Sequence, residues 1–107
     1  IIWLDDNHEI SKVMKDKNIT KLIYNRGNIN NFGINFKTWS YSKGDTYDSA
    51  CVILTDKANN PNDWNKLRTS TRNKLYVALT RAKNNVYIIR NDIYKKWKKS
   101  IILCNLN

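Results

Sequence analysis

Residues 49–55, Ser-Ala-Cys-Val-Ile-Leu-Thr, set the apolar residues Ala50 through Leu54 in an unbroken row. A strand with one face in water alternates apolar and polar residues, so an unbroken run needs cover on both faces. That requirement predicts the central strand of a sheet held between helices. The flanking segments agree with it. The polar stretch YSKGDTYD leads into the run, and DKANNPND, which holds the only proline, leads out of it. Upstream, Ile10, Val13 and Met14 recur at helical spacing behind acidic residues, and ITKLIYN (19–25) follows as a β-branched and aromatic run. After the Asn- and Gly-rich turn RGNINNFG, INFKTWS (34–40) reads as another strand.

Downstream, WNKLRTSTRNKLYVALTRAK reads as one helix or two, with Leu75, Ala78, Leu79 and Ala82 on one stripe. NNVYIIRN (84–91) reads as a turn and then a strand. NDIYKKWKKS reads as a helix capped by Asp92, with Ile93 and Trp97 on one face, followed by a short apolar tail, IILCNLN. About four strands and three or four helices alternate. This order predicts an α/β fold with a mainly parallel sheet, flanked by helices and linked by right-handed crossovers. The link between ITKLIYN and INFKTWS is too short for a helix, so the pairing of those two strands is left open.

The 107 residues are enough for one compact domain with a real core and too few for two. No charged segment followed by a long apolar stretch occurs, and the expectation is a soluble, cytoplasmic piece of a longer polypeptide with no membrane partner. Cys51 and Cys104 lack metal-ligand or disulfide spacing, and His8 is the single histidine. Histidine-based acid–base chemistry and multi-histidine metal sites are therefore not expected, and His8 reads as a surface residue. Lys and Arg total 19 against 9 Asp and Glu, a formal net charge of +10, and Trp and Tyr are interleaved with the cations. Phosphate contact combined with base stacking suits that mixture, which ranks nucleic acid ahead of membranes or acidic proteins as partner.

In open α/β sheets ligands collect at the carboxyl ends of the strands, which draws attention to SYSKGDTYD. Gly44 permits close backbone approach, Lys43 supplies a point charge, and Ser40, Ser42 and Thr46 supply hydroxyls, together a polyanion cradle. The same composition also describes an ordinary turn. Arg81, likewise, reads locally as a basic residue at a helix C-terminus, favourable to the helix dipole.

Two longer stretches give these residues a context. TWSYSKGDTYDSACVIL followed by NKLYVALTRAKNNVYII resembles, in order and kind, motifs V and VI of UvrD/Rep-type superfamily 1 DNA helicases. LYVALTRA (75–82) is similar almost letter for letter to the family's motif VI. In the motif V stretch, Ser40 stands where the family has histidine and Thr46 where it has glutamate, while Tyr47 keeps the aromatic. ITKLIYNR is similar to a strand early in the family's second motor domain.

The resemblance implies the three-layer, RecA-like (P-loop NTPase-like) carboxyl-terminal motor domain of an ATP-dependent DNA helicase or translocase. It implies that Arg81 is the arginine finger that meets the γ-phosphate. By the same resemblance Lys43, Gly44 and Thr46 would lie by the nucleotide, and Thr38, Ser40 and Tyr41 along the single-stranded DNA track. ATP and Mg²⁺ would be bound mainly by the amino-terminal RecA-like domain of the same protein, because no Gly-x-x-x-x-Gly-Lys-Ser/Thr loop occurs here. The alternative is a stand-alone nucleic-acid-binding or protein-interaction module that keeps the fold without ATPase activity.

Overall fold

A computed structural model describes residues 1–24, 36–39 and 46–106. The described elements run β1 (Ile2–Leu4), α1 (Asn7–Lys15), β2 (Ile19–Ile23), β3 (Phe36–Thr38), β4 (Tyr47–Ile53), α2 (Thr69–Leu79), β5 (Ala82–Ile89) and α3 (Asn91–Leu106). Two 3₁₀ turns, Asp56–Ala58 and Pro61–Lys66, lie between β4 and α2. The strands form one sheet in the order β1-β5-β4-β2-β3, with every pairing parallel. The fold is thus the α/β sandwich that the apolar run 49–55 requires, and β4 lies at its centre.

Each face of β4 has its own core. Cys51 and Ile53 face α1 and α3, where Ile10, Val13, Met14, Tyr94 and Trp97 are buried against them. Ala50 and Val52 face the other way, onto Leu22, Trp39, Leu75, Ala78 and Ile88. The period-2 geometry of a strand accounts for this division, since successive side chains of one apolar run point to opposite layers. α1 begins where Asp6 accepts a hydrogen bond from the His8 N–H (3.4 Å), and it buries the predicted stripe of Ile10, Val13 and Met14. α3 is tied to α1 by the indole N–H of Trp97, which donates to Ser11 Oγ at 2.8 Å.

Several boundaries differ from the sequence reading. The sheet contains a fifth strand among the described residues, β1, whose three residues pair with Tyr87, Ile88 and Ile89. A segment that short has no readable period. β2 and β3 pair directly and in parallel, Ile23 opposite Thr38, which resolves the pairing left open above. Ala82 does not extend the helix stripe. α2 ends at Leu79, and Ala82 opens β5 opposite Tyr47, so the strand takes in the Asn84 and Asn85 that were expected to form a turn before it. Asp92 lies in the first turn of α3 rather than at its cap. The first helical bond there runs from the Tyr94 N–H to the Arg90 carbonyl (2.9 Å), and Asp92 instead accepts from Asn59 (3.4 Å). α3 also continues to Leu106, through most of the residues read as a tail. The segment before α2 splits into a 3₁₀ turn and a helix at Leu67 and Arg68.

Candidate functional site

Thr80 and Arg81 are the whole link between α2 and β5. The Thr80 hydroxyl donates to the Tyr76 carbonyl (2.9 Å) and the Val77 carbonyl (3.1 Å), which also accept from the Thr80 backbone N–H at 3.2 Å, so one residue closes the last helical turn. The Arg81 N–H donates to the Ala78 carbonyl (3.4 Å), and the Arg81 carbonyl accepts from the Tyr47 N–H at 2.8 Å. The arginine is therefore rooted in α2 on one side and in the first residue of β4 on the other. Its side chain is half-buried and its Nε is buried, so part of the stem is already ordered in the fold. A planar, permanently charged group held this way forfeits little conformational freedom on meeting a phosphate.

Thr46 is exposed and directly precedes Tyr47, which places it at the same amino edge of the sheet as Arg81. The Tyr47 ring lies under the Lys37 ammonium, 5.5 Å from it. Thr38 is elsewhere. It closes β3 opposite Ile23, which in turn pairs with Ile53 at the carboxyl end of β4. Tyr47 and Ile53 are the two ends of the seven-residue β4, six steps apart, a rise of about 20 Å at about 3.3 Å per residue. The structure thus brings Thr46 and Arg81 to one edge and sets Thr38 at the other. Ser40, Tyr41, Lys43 and Gly44 lie outside the described residues. Trp39, the neighbouring aromatic, belongs to the core. It is fully buried, its indole N–H donates to the Leu22 carbonyl (3.2 Å), and its backbone N–H donates to the Ile23 carbonyl (3.0 Å).

Sequence reasoning missed a cleft at the carboxyl edge, about 970 Å³ in volume, between Tyr24 and the segment that leaves β4. Its walls come from residues more than 30 positions apart, so no local pattern announces it. The one available signal was Tyr24 itself, an aromatic at the exit of a buried strand.

Lys21 is fully buried on β2, opposite Cys51 on β4. Its ammonium donates to the Asp16 carbonyl at 2.6 Å, and burial lowers its pKa, with Cys51 and Asp16 opposing that shift. Burial pushes the Cys51 thiol from 9.0 up to about 12, against the pull of Lys21. A thiol that buried and that firmly protonated is no nucleophile.

The linkage is testable. Between pH 9.0 and about 12 the native chain keeps the Cys51 proton that the unfolded chain loses, so this group contributes stability at lower pH that disappears as pH rises. Lys21 works in the opposite sense, because its native pKa lies below the ordinary 10.5 and the unfolded chain holds the extra proton. Removing Cys51 isolates the first contribution. In urea melts the wild-type chain should lose stability faster than Cys51→Ala as pH rises above 9.0. Parallel losses would contradict a buried, protonated thiol.

Among the described residues, no three His, Cys, Asp or Glu side chains gather as a metal site, and no helix is long and apolar enough to cross a membrane. Residues 5–90 match the family described as the viral superfamily 1 RNA helicase core domain. No curated protein and no solved structure matches the chain.

Proposed function

The chain belongs to the viral superfamily 1 RNA helicase core domain family, and from that membership we propose that it is the carboxyl-terminal RecA-like motor lobe of an ATP-dependent helicase. In this reading Arg81 reaches across a seam to a nucleotide held by an amino-terminal lobe of the same protein. The observation that carries it is the rooting of Arg81 between α2 and β4, with a half-buried side chain at the sheet's amino edge. ATP with Mg²⁺ supplies the phosphoryl group that is transferred to water. This chain's part is a fixed cation aimed at the charge that grows on the γ-phosphoryl oxygens, where an arginine finger accelerates transfer by about 10³–10⁵. The Arg81 guanidinium fits that role.

Thr46, at the same edge as Arg81, lies by the nucleotide in such a seam, and Lys43 and Gly44 precede it closely in sequence. A threonine hydroxyl replaces the carboxylate of the UvrD/Rep-type motif there, which weakens any grip on the nucleotide sugar. Thr38 serves the nucleic-acid strand from the opposite edge, and Ser40 and Tyr41, which follow it in sequence, serve the same strand. The UvrD/Rep-type motifs point to single-stranded DNA, whereas the matched family is described by RNA. Both polymers present the phosphates and bases that a cationic, aromatic surface takes up.

The test uses the full-length protein. Its ATP hydrolysis should rise on addition of a single-stranded homopolymer, and the ratio of DNA to RNA stimulation assigns the substrate. Hydrolysis that neither polymer stimulates would contradict a motor and favour a binding module.

A further inference from the structure

Tyr47 is the point at which the Arg81 junction meets the rest of the sheet. Its N–H donates to the Arg81 carbonyl at 2.8 Å, and its Cα pairs with that of Ala82, the residue after Arg81. Immediately beyond it the ladder is irregular, because the register of β4 against β5 shifts between Tyr47 and Ser49. β2 joins β4 only from Ser49 onward, where Ile19 is its partner. An extra residue in a ladder disrupts the backbone pairing around it. The bond that roots Arg81 is thus set apart from the regular sheet, and side chains must hold Tyr47 in place.

Two contacts hold its ring. The half-buried ring packs against the core that α2 covers, and the Lys37 ammonium sits 5.5 Å from its centre. The second contact comes from far along the sheet. Lys37 pairs with Leu22, and Leu22 with Val52, five steps along β4 from Tyr47, about 17 Å at about 3.3 Å per residue. Thr20 and Ala50 form a row between them on the same face, and their small side chains leave the lysine stem room to run back toward the amino edge.

A lysine on an edge strand ordinarily extends into water. Lys37, on the edge strand β3, is instead half-buried. Partial burial strengthens a cation–ring contact, because fewer waters compete for the ammonium.

Resting on the motor reading above, we propose that Lys37 is a positioning residue for Arg81. Its ammonium clamps the Tyr47 ring, the clamped Tyr47 fixes the Arg81 carbonyl, and the guanidinium is thereby held at one place while the γ-phosphoryl group transfers. The lysine itself does not touch the nucleotide. A half-buried contact of this kind favours the bonded arrangement of the junction by about 5- to 30-fold. Its loss lowers the fraction of enzyme in which Arg81 stands ready.

The experiment uses the full-length protein and Lys37→Met, which keeps the apolar stem and removes the charge. kcat for strand-stimulated ATP hydrolysis should fall by about 5- to 30-fold, with KM for ATP and strand affinity unchanged, since the other lobe binds most of the nucleotide. Amide hydrogen exchange at Tyr47 should quicken by a similar factor. Lys37→Arg, which restores a cation over the ring, should recover both. In an Arg81→Ala background, Lys37→Met should lower kcat by no more than about 2-fold further, because the group that it positions is gone.

Three results overturn the proposal. Unchanged exchange at Tyr47 removes the clamp. A raised KM, with the full loss repeated in the Arg81→Ala background, makes Lys37 a phosphate ligand in its own right. A lower urea midpoint with wild-type kcat makes it ordinary packing. The motor reading fails separately: if no strand stimulates hydrolysis by the wild-type protein and Lys37→Met still quickens exchange at Tyr47, the clamp stands without the motor.

Discussion

In the complete enzyme, Arg81→Ala is expected to lower kcat for strand-stimulated ATP hydrolysis by about 10³- to 10⁵-fold, with kcat/KM falling in step. The parallel fall follows from where the guanidinium acts, because a contact made in the transition state and not in the bound ground state lowers both constants equally. Arg81→Lys should recover little of the loss. An ammonium is a compact, strongly hydrated point charge and lacks the planar fork that meets two phosphoryl oxygens at once. The competing explanation is that Arg81 only balances the dipole at the end of α2. A charge in that position is worth about 0.3–1 kcal/mol of stability, and its loss would leave turnover near the wild-type value. A urea melt beside the kinetics separates the two, since the backbone bonds of Arg81 to Ala78 and Tyr47 survive in the alanine variant.

The second large effect concerns stability. Trp39→Ala should cost about 3–5 kcal/mol, because it empties a fully buried indole site and removes the bond from the indole N–H to the Leu22 carbonyl. Native domains are stable by only about 5–15 kcal/mol, so the variant would unfold at much lower urea concentration or fail to accumulate. Trp39→Phe keeps an aromatic in the cavity and should cost appreciably less. A base-stacking tryptophan would behave the other way, with Trp39→Ala near wild-type stability and a loss confined to strand binding. Stability that survives Trp39→Ala would therefore contradict its place beneath Tyr24.

These two residues also show what a reader of the sequence can and cannot recover. The middle of the sheet was legible because Ala50 through Leu54 admit no exposed face, and both cores form on that run. The place of Arg81 between a helix and a strand was legible because LYVALTRA is long and chemically unusual, and that junction falls within it. The start of β5 was hidden. Ala82, Lys83, Asn84 and Asn85 read as helix end and turn, yet they are strand, because backbone pairing to Tyr47 and Ser49 outweighs side chains that carry no strand preference.

Asp92 was misread for a related reason. Asp is a common cap, but the helix begins at Asn91, two residues before a helix capped by Asp92 would, and the carboxylate is drawn to Asn59, 33 positions away in the chain. Lys21 gave no sign of burial, since a lysine within ITKLIYN marks a solvent face by default. Only the fold shows that its ammonium reaches the Asp16 carbonyl. The carboxyl-edge cleft was equally invisible, because Tyr24 meets Thr55, Arg68 and Thr71 through the parallel pairing of β2 with β4 and not through any motif.

The central claim is that the guanidinium rooted at the junction of α2 and β5 acts on the terminal phosphoryl group during its transfer. The direct measurement compares, in the full-length protein bound to single-stranded nucleic acid, the affinity for ADP with aluminium fluoride, a mimic of the phosphoryl group in flight, against the affinity for ADP alone. Arg81→Ala should weaken the mimic by about 10³-fold or more and change ADP binding by no more than a few-fold. Equal losses for both ligands, or no loss for the mimic, would contradict the assignment.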